Sequence, residues 1–389
     1  MPVDRRALFG HDLSRRTVIR TAATGLAAAA LGARIVNGGV AQTPEATPDT
    51  LRVRPNGSTL STEQKTAFVQ AVLALKKKPS PWIAGLSTYD TFVLWHRDAF
   101  GCGLTAAHMG SAFFPWHRMF LHLFEQQLQS VDPTVNLPYW DWSVDNTTDS
   151  YVWQDDFMGG DGSDDDNEAV LTGPFQKGKW ELSVFDYSDK HRLAWITRDL
   201  GVGGLAPDLP TAEQVEAALA IETYDAAPWN ASAPIAESFR NTMEGWRDCV
   251  DEMCDPVDGM GPACTGSHDL HNRVHLWVSG EFLFAHEQNM HDAADHATPV
   301  VEDDDEVMGT MAANSSPNDP VFFLHHANID RLWSLWMDGH GQQYLPESGG
   351  PEGHNLNDHM WPYHNIDLEI SPAMMLDSRA WGYIYDTEV

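Results

Sequence analysis

The chain has 389 residues, 42% of them apolar, and a formal net charge of -32 at pH 7. A surface this acidic excludes nucleic acid as a partner, while the apolar share is ample for a buried core. The balance of 56 Asp and Glu against 24 Lys and Arg suits a high-salt environment, where counterions screen the self-repulsion of such a surface.

At the amino end, Ser14-Arg-Arg-Thr-Val-Ile19 precedes an Ala- and Leu-rich stretch, Thr21 to Gly32, that is too short to span a membrane. Residues 1–41 read as a twin-arginine export signal, with cleavage after the small triplet Gly39-Val-Ala41. Its six Arg against two Asp leave the mature chain more acidic still. The expected product is extracellular or periplasmic, with no membrane span in the mature form. Residues 42–52 form a linker, and 53–389 are expected to be one catalytic domain.

Within that domain Ser61-Thr-Glu-Gln64 has capping-box form and predicts a helix running to about Lys78. Ser87-Thr-Tyr-Asp90 caps a second helix whose later half carries His96. Pro115 is placed as the first residue of a third, which holds His117 and runs to about Ser130 before Asp132-Pro133 stops it. From 139 to 240 the chain is rich in Trp, Gly and Pro, and one clear helix is expected at Thr211 to Ile221. Phe239 to Arg247 and Asp269 to Val278 read as further helical pieces, and Asn318-Asp319-Pro320 caps the last long helix, to about Met337. The expected fold is mainly α: a four-helix bundle core holding a dinuclear metal site, with long loops and few short strands.

Acidic runs such as Asp164-Asp165-Asp166 read as solvated loops, since they lack calcium-loop spacing. Cys102, Cys249, Cys254 and Cys264 lack zinc spacing, and an exported protein keeps disulfides, so one or two structural bridges are expected with the pairing left open.

The histidines carry the chemistry. His271 and His275 stand at i and i+4 on one helix face, with Cβ atoms about 5–6 Å apart, so both reach one ion. His117 follows the apolar approach Phe113-Phe-Pro-Trp116. His325 and His326 are adjacent and point about 100° apart on a helix, so only one of them faces the same ion, and His326 is the expected one. His122 falls on another face from His117 and reads as structural, while His108 would ligate from a small-residue loop. Imidazole-only sets suit Cu, Zn, Fe or Ni, and the lack of carboxylate or thiolate argues against calcium, di-iron carboxylate and zinc-finger sites. Three nitrogens per ion leave positions open for a small ligand, and two ions of changeable valence point to dioxygen.

With these residues in place the chain resembles the type 3 copper proteins, in particular the short bacterial tyrosinases. His108-x4-Phe-Phe-Pro-Trp-His117-Arg118 looks like the first copper signature, and Asp319-Pro-x-Phe-Phe-x-x-His326-x3-Asp330 like the second. The likeness extends over nearly all of 53–389, including Leu137-Pro-Tyr-Trp-Asp-Trp142, Thr223-Tyr-Asp-Ala-Ala-Pro-Trp-Asn230 and Phe239-Arg-Asn-Thr-Met-Glu-Gly-Trp246. It implies copper A on His96, His108 and His117, and copper B on His271, His275 and His326. It also implies that Glu244 and Asn272 hold a water that helps deprotonate a monophenol, and that Asn314 lies over copper B on the substrate's path.

The implied activity is copper-dependent oxidation of small phenols by O2, with ortho-hydroxylation of monophenols and oxidation of o-diphenols to o-quinones, as in melanin formation. The alternatives are a catechol or o-aminophenol oxidase without the hydroxylation and, more remotely, a hemocyanin-like oxygen carrier. A small copper-delivery helper protein serves several such relatives. Cys102 fits neither the fungal nor the plant spacing for a Cys–His thioether, so no such cross-link is expected, and Tyr383-Ile-Tyr385 resembles the motif closing the catalytic domain, so no C-terminal lid is expected. Two insertions, about 247–268 and 281–307, are expected to border the mouth of the site.

Overall fold

The computed structural model describes residues 51–100, 107–185, 193–202, 206–245, 249–250, 263–264, 269–280 and 309–389. The export signal, Cys102, Cys254, and all but four residues of the two insertions lie outside these ranges.

Helices dominate the described residues, and their ends follow local chemistry. Helix α1 spans Thr62–Lys77, and Ser61 closes a full capping box with Gln64. Helix α2 spans Thr88–Phe100, where the Ser87 hydroxyl accepts from the Asp90 N–H at 2.9 Å. Helix α3 spans Phe113–Val131, two residues longer at its start than predicted. Pro115 is therefore the third helical residue, a place it tolerates because first-turn N–H groups have no acceptor within the helix. Helix α4, Ala212–Leu219, carries a second full capping box between Thr211 and Gln214.

Helix α5, Phe239–Glu244, stops at Gly245, whose φ of 86° is the left-handed conformation glycine adopts readily. Helix α6 is Leu270–Ser279 and α7 is Val321–His340. The cap of α7 differs from expectation: Pro320 occupies the N-cap position with no side-chain bond, and Asp319 Oδ1 instead takes the Val321 N–H at 3.1 Å.

Helix α1 packs on α2 and α3, α3 on α7, and α6 on α5 and α7. Aromatic side chains fill the space between α2, α3 and α7: Phe124 stacks on Phe323 with ring centroids 3.5 Å apart, and Phe92 meets Phe120 edge-on at 5.3 Å. The four helices that carry the candidate histidines thus surround a common core. Strands are few and short: β1 (Arg52–Arg54), β2 (Gly162–Ser163), β3 (Ala169–Val170), β4 (Cys249–Val250), β5 (Ala263–Cys264) and β6 (Tyr383–Tyr385). In the antiparallel β4–β5 ladder Cys249 stands directly opposite Cys264.

The two ends of the domain are brought together by β1, which runs parallel to β6. Beneath them lies a buried charge network. Arg54 donates to Glu125 at 2.8 Å and to Asp330 at 3.2 Å, Arg118 donates to Asp330 at 2.6 Å, and the Tyr383 and Tyr385 hydroxyls each reach Asp330 Oδ2 at 2.7 Å. The long loops before α4 are held by a further buried cation. Arg198 pairs with Asp319 at 2.7 and 2.8 Å and donates to the carbonyls of Met158, Gly159 and Gly160.

Candidate metal centre

Helix α2 contributes His96, the turn before α3 contributes His108, and α3 contributes His117. Their nitrogens form one group within 4.8 Å of one another, and His271, His275, His325 and His326 form a second group by the same measure. All seven imidazoles are buried. His117 stacks on His326 with centroids 4.3 Å apart, so the two groups are neighbours. Phe322, one turn before His326, lies 4.8 Å from His96 and 4.0 Å from His326, walling both groups in apolar surface.

Main-chain carbonyls fix the tautomers, because a carbonyl can only accept. Nδ1–H donates from His96 to Asn314 at 2.7 Å, from His117 to Phe113 at 2.8 Å, from His271 to Glu244 at 3.0 Å and from His275 to Met311 at 2.7 Å. Burial drives the imidazoles to their neutral form: His96 falls to about 3 and His275 to about 4. Each Nε2 of these four rings therefore carries a bare lone pair.

In the second group those lone pairs converge. His271 Nε2 and His275 Nε2 are 3.1 Å apart, and His326 Nε2 lies 3.3 Å from each. Two acceptors facing each other at that distance repel, and a cation among them relieves the repulsion. In the first group, His96 Nε2 and His117 Nε2 are buried without any hydrogen-bond partner, which burial makes costly. Both groups thus fit a metal ion, and their all-nitrogen donors suit copper.

The adjacent histidines are separated by their partners. Trp142 donates its indole N–H to His325 Nδ1 at 3.1 Å, which places the His325 proton on Nε2. His325 lies flat on His271 at 5.1 Å and 14°, so it shares the second group with its lone pair already taken. His326 keeps Nε2 in the convergent triangle. His122 stands away from both groups, its ring 5.1 Å from Trp381 and its Nε2 accepting from Gln126 at 2.9 Å.

Glu244 is fully buried, and burial raises its carboxyl to about 7 against the lowering pull of Arg240. One oxygen takes the Met109 N–H and the other takes Arg240 at 2.9 Å. Asn272 is buried beside His271 on α6. Asn314 is half-buried, and its main chain serves the first group through His96. The roles of Trp142 and Asp225 around the site are not readable from the sequence: their motifs are visible, but the partners His325 and Ser111 lie 183 and 114 residues away along the chain.

Comparisons with known proteins agree with this geometry. The family model described as the common central domain of tyrosinase matches residues 86–339. A tyrosinase of Streptomyces glaucescens is 37% identical over 341 residues, covering 87% of this chain and 100% of that protein. The grixazone synthase of Streptomyces griseus is 33% identical over 364 residues, covering 86% and 99%. Among solved structures, a polyphenol oxidase of Thermothelomyces thermophila matches with a TM-score of 0.59 at 20% identity, over 88% of this chain and 90% of that one, which speaks for the fold.

Proposed function

The chain belongs to the tyrosinase family of copper-dependent phenol oxidases, and from that premise we propose that it both hydroxylates monophenols at the ortho position and oxidises o-diphenols to o-quinones. The observation that carries the site is the convergence of buried imidazole nitrogens in two adjoining groups, four of the rings having their tautomer fixed by a main-chain carbonyl. His96, His108 and His117 would hold one copper ion, and His271, His275 and His326 the other. When bound, the copper pair supplies the redox chemistry that reduces O2 and oxidises the phenol.

The chain's own residues supply the rest. Carbonyls of Asn314, Phe113, Glu244 and Met311 orient the rings and keep each Nε2 free to ligate. Phe322 and Phe113 keep the site apolar, which suits an aromatic substrate and excludes water. Glu244, with Asn272 beside it, would hold a water able to accept the phenol proton. Each Glu244 oxygen keeps an acceptor site beyond the bond it already makes. Asn314 would stand on the substrate's path.

A second reading, oxidation of o-diphenols or o-aminophenols without hydroxylation, is favoured by one observation: both Glu244 oxygens already serve Met109 and Arg240. Oxygen uptake by the copper-loaded chain in molar salt, first with tyrosine and then with dihydroxyphenylalanine, decides between them. Uptake with both is expected, and uptake with the second alone establishes the second reading. Glu244→Gln should lower the tyrosine rate by about a hundredfold, the scale of a lost general base, and the dihydroxyphenylalanine rate much less. Twin-arginine export, a single catalytic domain over 53–389, a high-salt habitat and a copper-delivery helper complete the proposal and rest on sequence.

A further inference from the structure

His108 is the one candidate ligand outside a helix, and the turn that carries it is held from outside. Met109 has φ of 57°, a left-handed conformation unusual for a residue with a side chain. Gly110 passes so close to the His354 ring that a Cβ there would lie 2.3 Å from it, and the Ala112 N–H donates to His354 Nδ1 at 3.2 Å. The remaining bonds run to one buried network. The Met109 N–H donates to Glu244, the Ser111 hydroxyl donates to Asp225 Oδ2 at 2.6 Å, and Tyr224 donates to the Ser111 carbonyl at 2.6 Å.

Arg240 joins these anchors. Its guanidinium donates to both Asp225 oxygens at 3.1 Å, to Glu244 Oε2 at 2.9 Å and to the Asn230 carbonyl at 2.8 Å. Glu244 in turn accepts His271 Nδ1–H on its main-chain carbonyl at 3.0 Å. Asp225, Arg240, Glu244, Ser111 and Ser238 are all buried, so these charge-assisted bonds are shielded from water. One side of the network sets His108 and the other sets His271, across the two ligand groups.

We infer that the Asp225–Arg240 pair is a positioning clamp that holds the His108 turn in register with the Glu244–His271 side of the site. The inference rests on the proposed ligand sets and adds to them residues that touch no metal. It also gives the Glu244 carboxylate a fixed duty, the Met109 N–H, besides any water it holds.

The test is copper retention by the full copper-loaded chain against rising chelator, read as ions per chain together with the melting temperature. Ser111→Ala removes only the hydroxyl bond between the turn and Asp225, and it is expected to release one ion at about tenfold lower chelator while the other stays as in the unmodified chain. Ser238→Ala removes a different bond to Asp225, 2.7 Å long and away from the turn, together with the cap on the Asn241 N–H, and should lower the melting temperature with both ions retained.

Unchanged retention in Ser111→Ala overturns the clamp. So does simultaneous loss of both ions in step with melting temperature, or an equal effect of Ser238→Ala. An unmodified chain that holds fewer than two ions overturns the clamp together with the ligand sets, whereas full retention there with an unaffected Ser111→Ala overturns the clamp alone.

Discussion

At the scale of single residues, function depends on which nitrogen of each buried imidazole keeps its lone pair. His325 and His326 are neighbours in sequence, and the Trp142 indole N–H occupies the acceptor of the first only. His326→Ala is therefore expected to hold one copper per chain and His325→Ala two, as measured by metal analysis. The sequence narrowed this pair to one through helical angle alone, and the indole that distinguishes them is 183 residues away, beyond the reach of any spacing rule.

Protonation acts on the same atoms. His96 and His275 are held to about 3 and about 4 by burial, against about 6.5 for an imidazole in the unfolded chain. Between those values the unfolded chain binds protons that the folded one refuses, so the contribution of these two imidazoles is intact above about pH 6.5 and declines as pH falls toward 4, outweighing the opposite effect of the single raised Glu244 carboxyl beside the site. Each such imidazole removes up to about 1.4 kcal/mol per pH unit. The denaturant midpoint of metal-free protein should thus be lower at pH 5 than at pH 7, and an equal or higher midpoint at pH 5 would contradict the burial account.

At the scale of elements, helices were legible where their ends are written locally. Ser61 with Gln64 and Thr211 with Gln214 form full capping boxes. Ser61→Ala is expected to cost about 1 kcal/mol in chemical unfolding, with oxygen uptake unchanged, since α1 carries no ligand. Where local signals failed, a distant partner had taken over. Asp319 was read as a cap, and its carboxylate is indeed bonded to the first turn of α7, but its main partner is Arg198. The loops between α3 and α4 have no period to read because side chains such as Arg198 collect their carbonyls from afar. The His108 turn was likewise visible as a ligand-bearing segment, while its attachment to Asp225 and Glu244 was not.

At the scale of the whole molecule, the paired strands β1 and β6 are locked to the helices that hold the site. Asp330 lies on α7 one turn after His326 and gathers Arg54 from β1, Arg118 from α3, and Tyr383 and Tyr385 from β6. The burial of both arginines makes each depend on its carboxylate. Asp330→Ala leaves two buried cations short of a partner and should cost about 3–5 kcal/mol in unfolding experiments. Both motifs were visible in the sequence, Asp330 at the end of the second signature and Tyr383-Ile-Tyr385 far beyond it, but the direct bonds of the two tyrosine hydroxyls to Asp330, with Arg54 beside them, were not.

The proposed chemistry requires that two separate imidazole groups each hold one copper ion. Anomalous scattering from crystals of the copper-loaded protein, measured at the copper edge, tests it directly. Two peaks are expected, one bounded by His96, His108 and His117 and the other by His271, His275 and His326. A single peak, or a second peak ligated by His325 in place of His326, would contradict it.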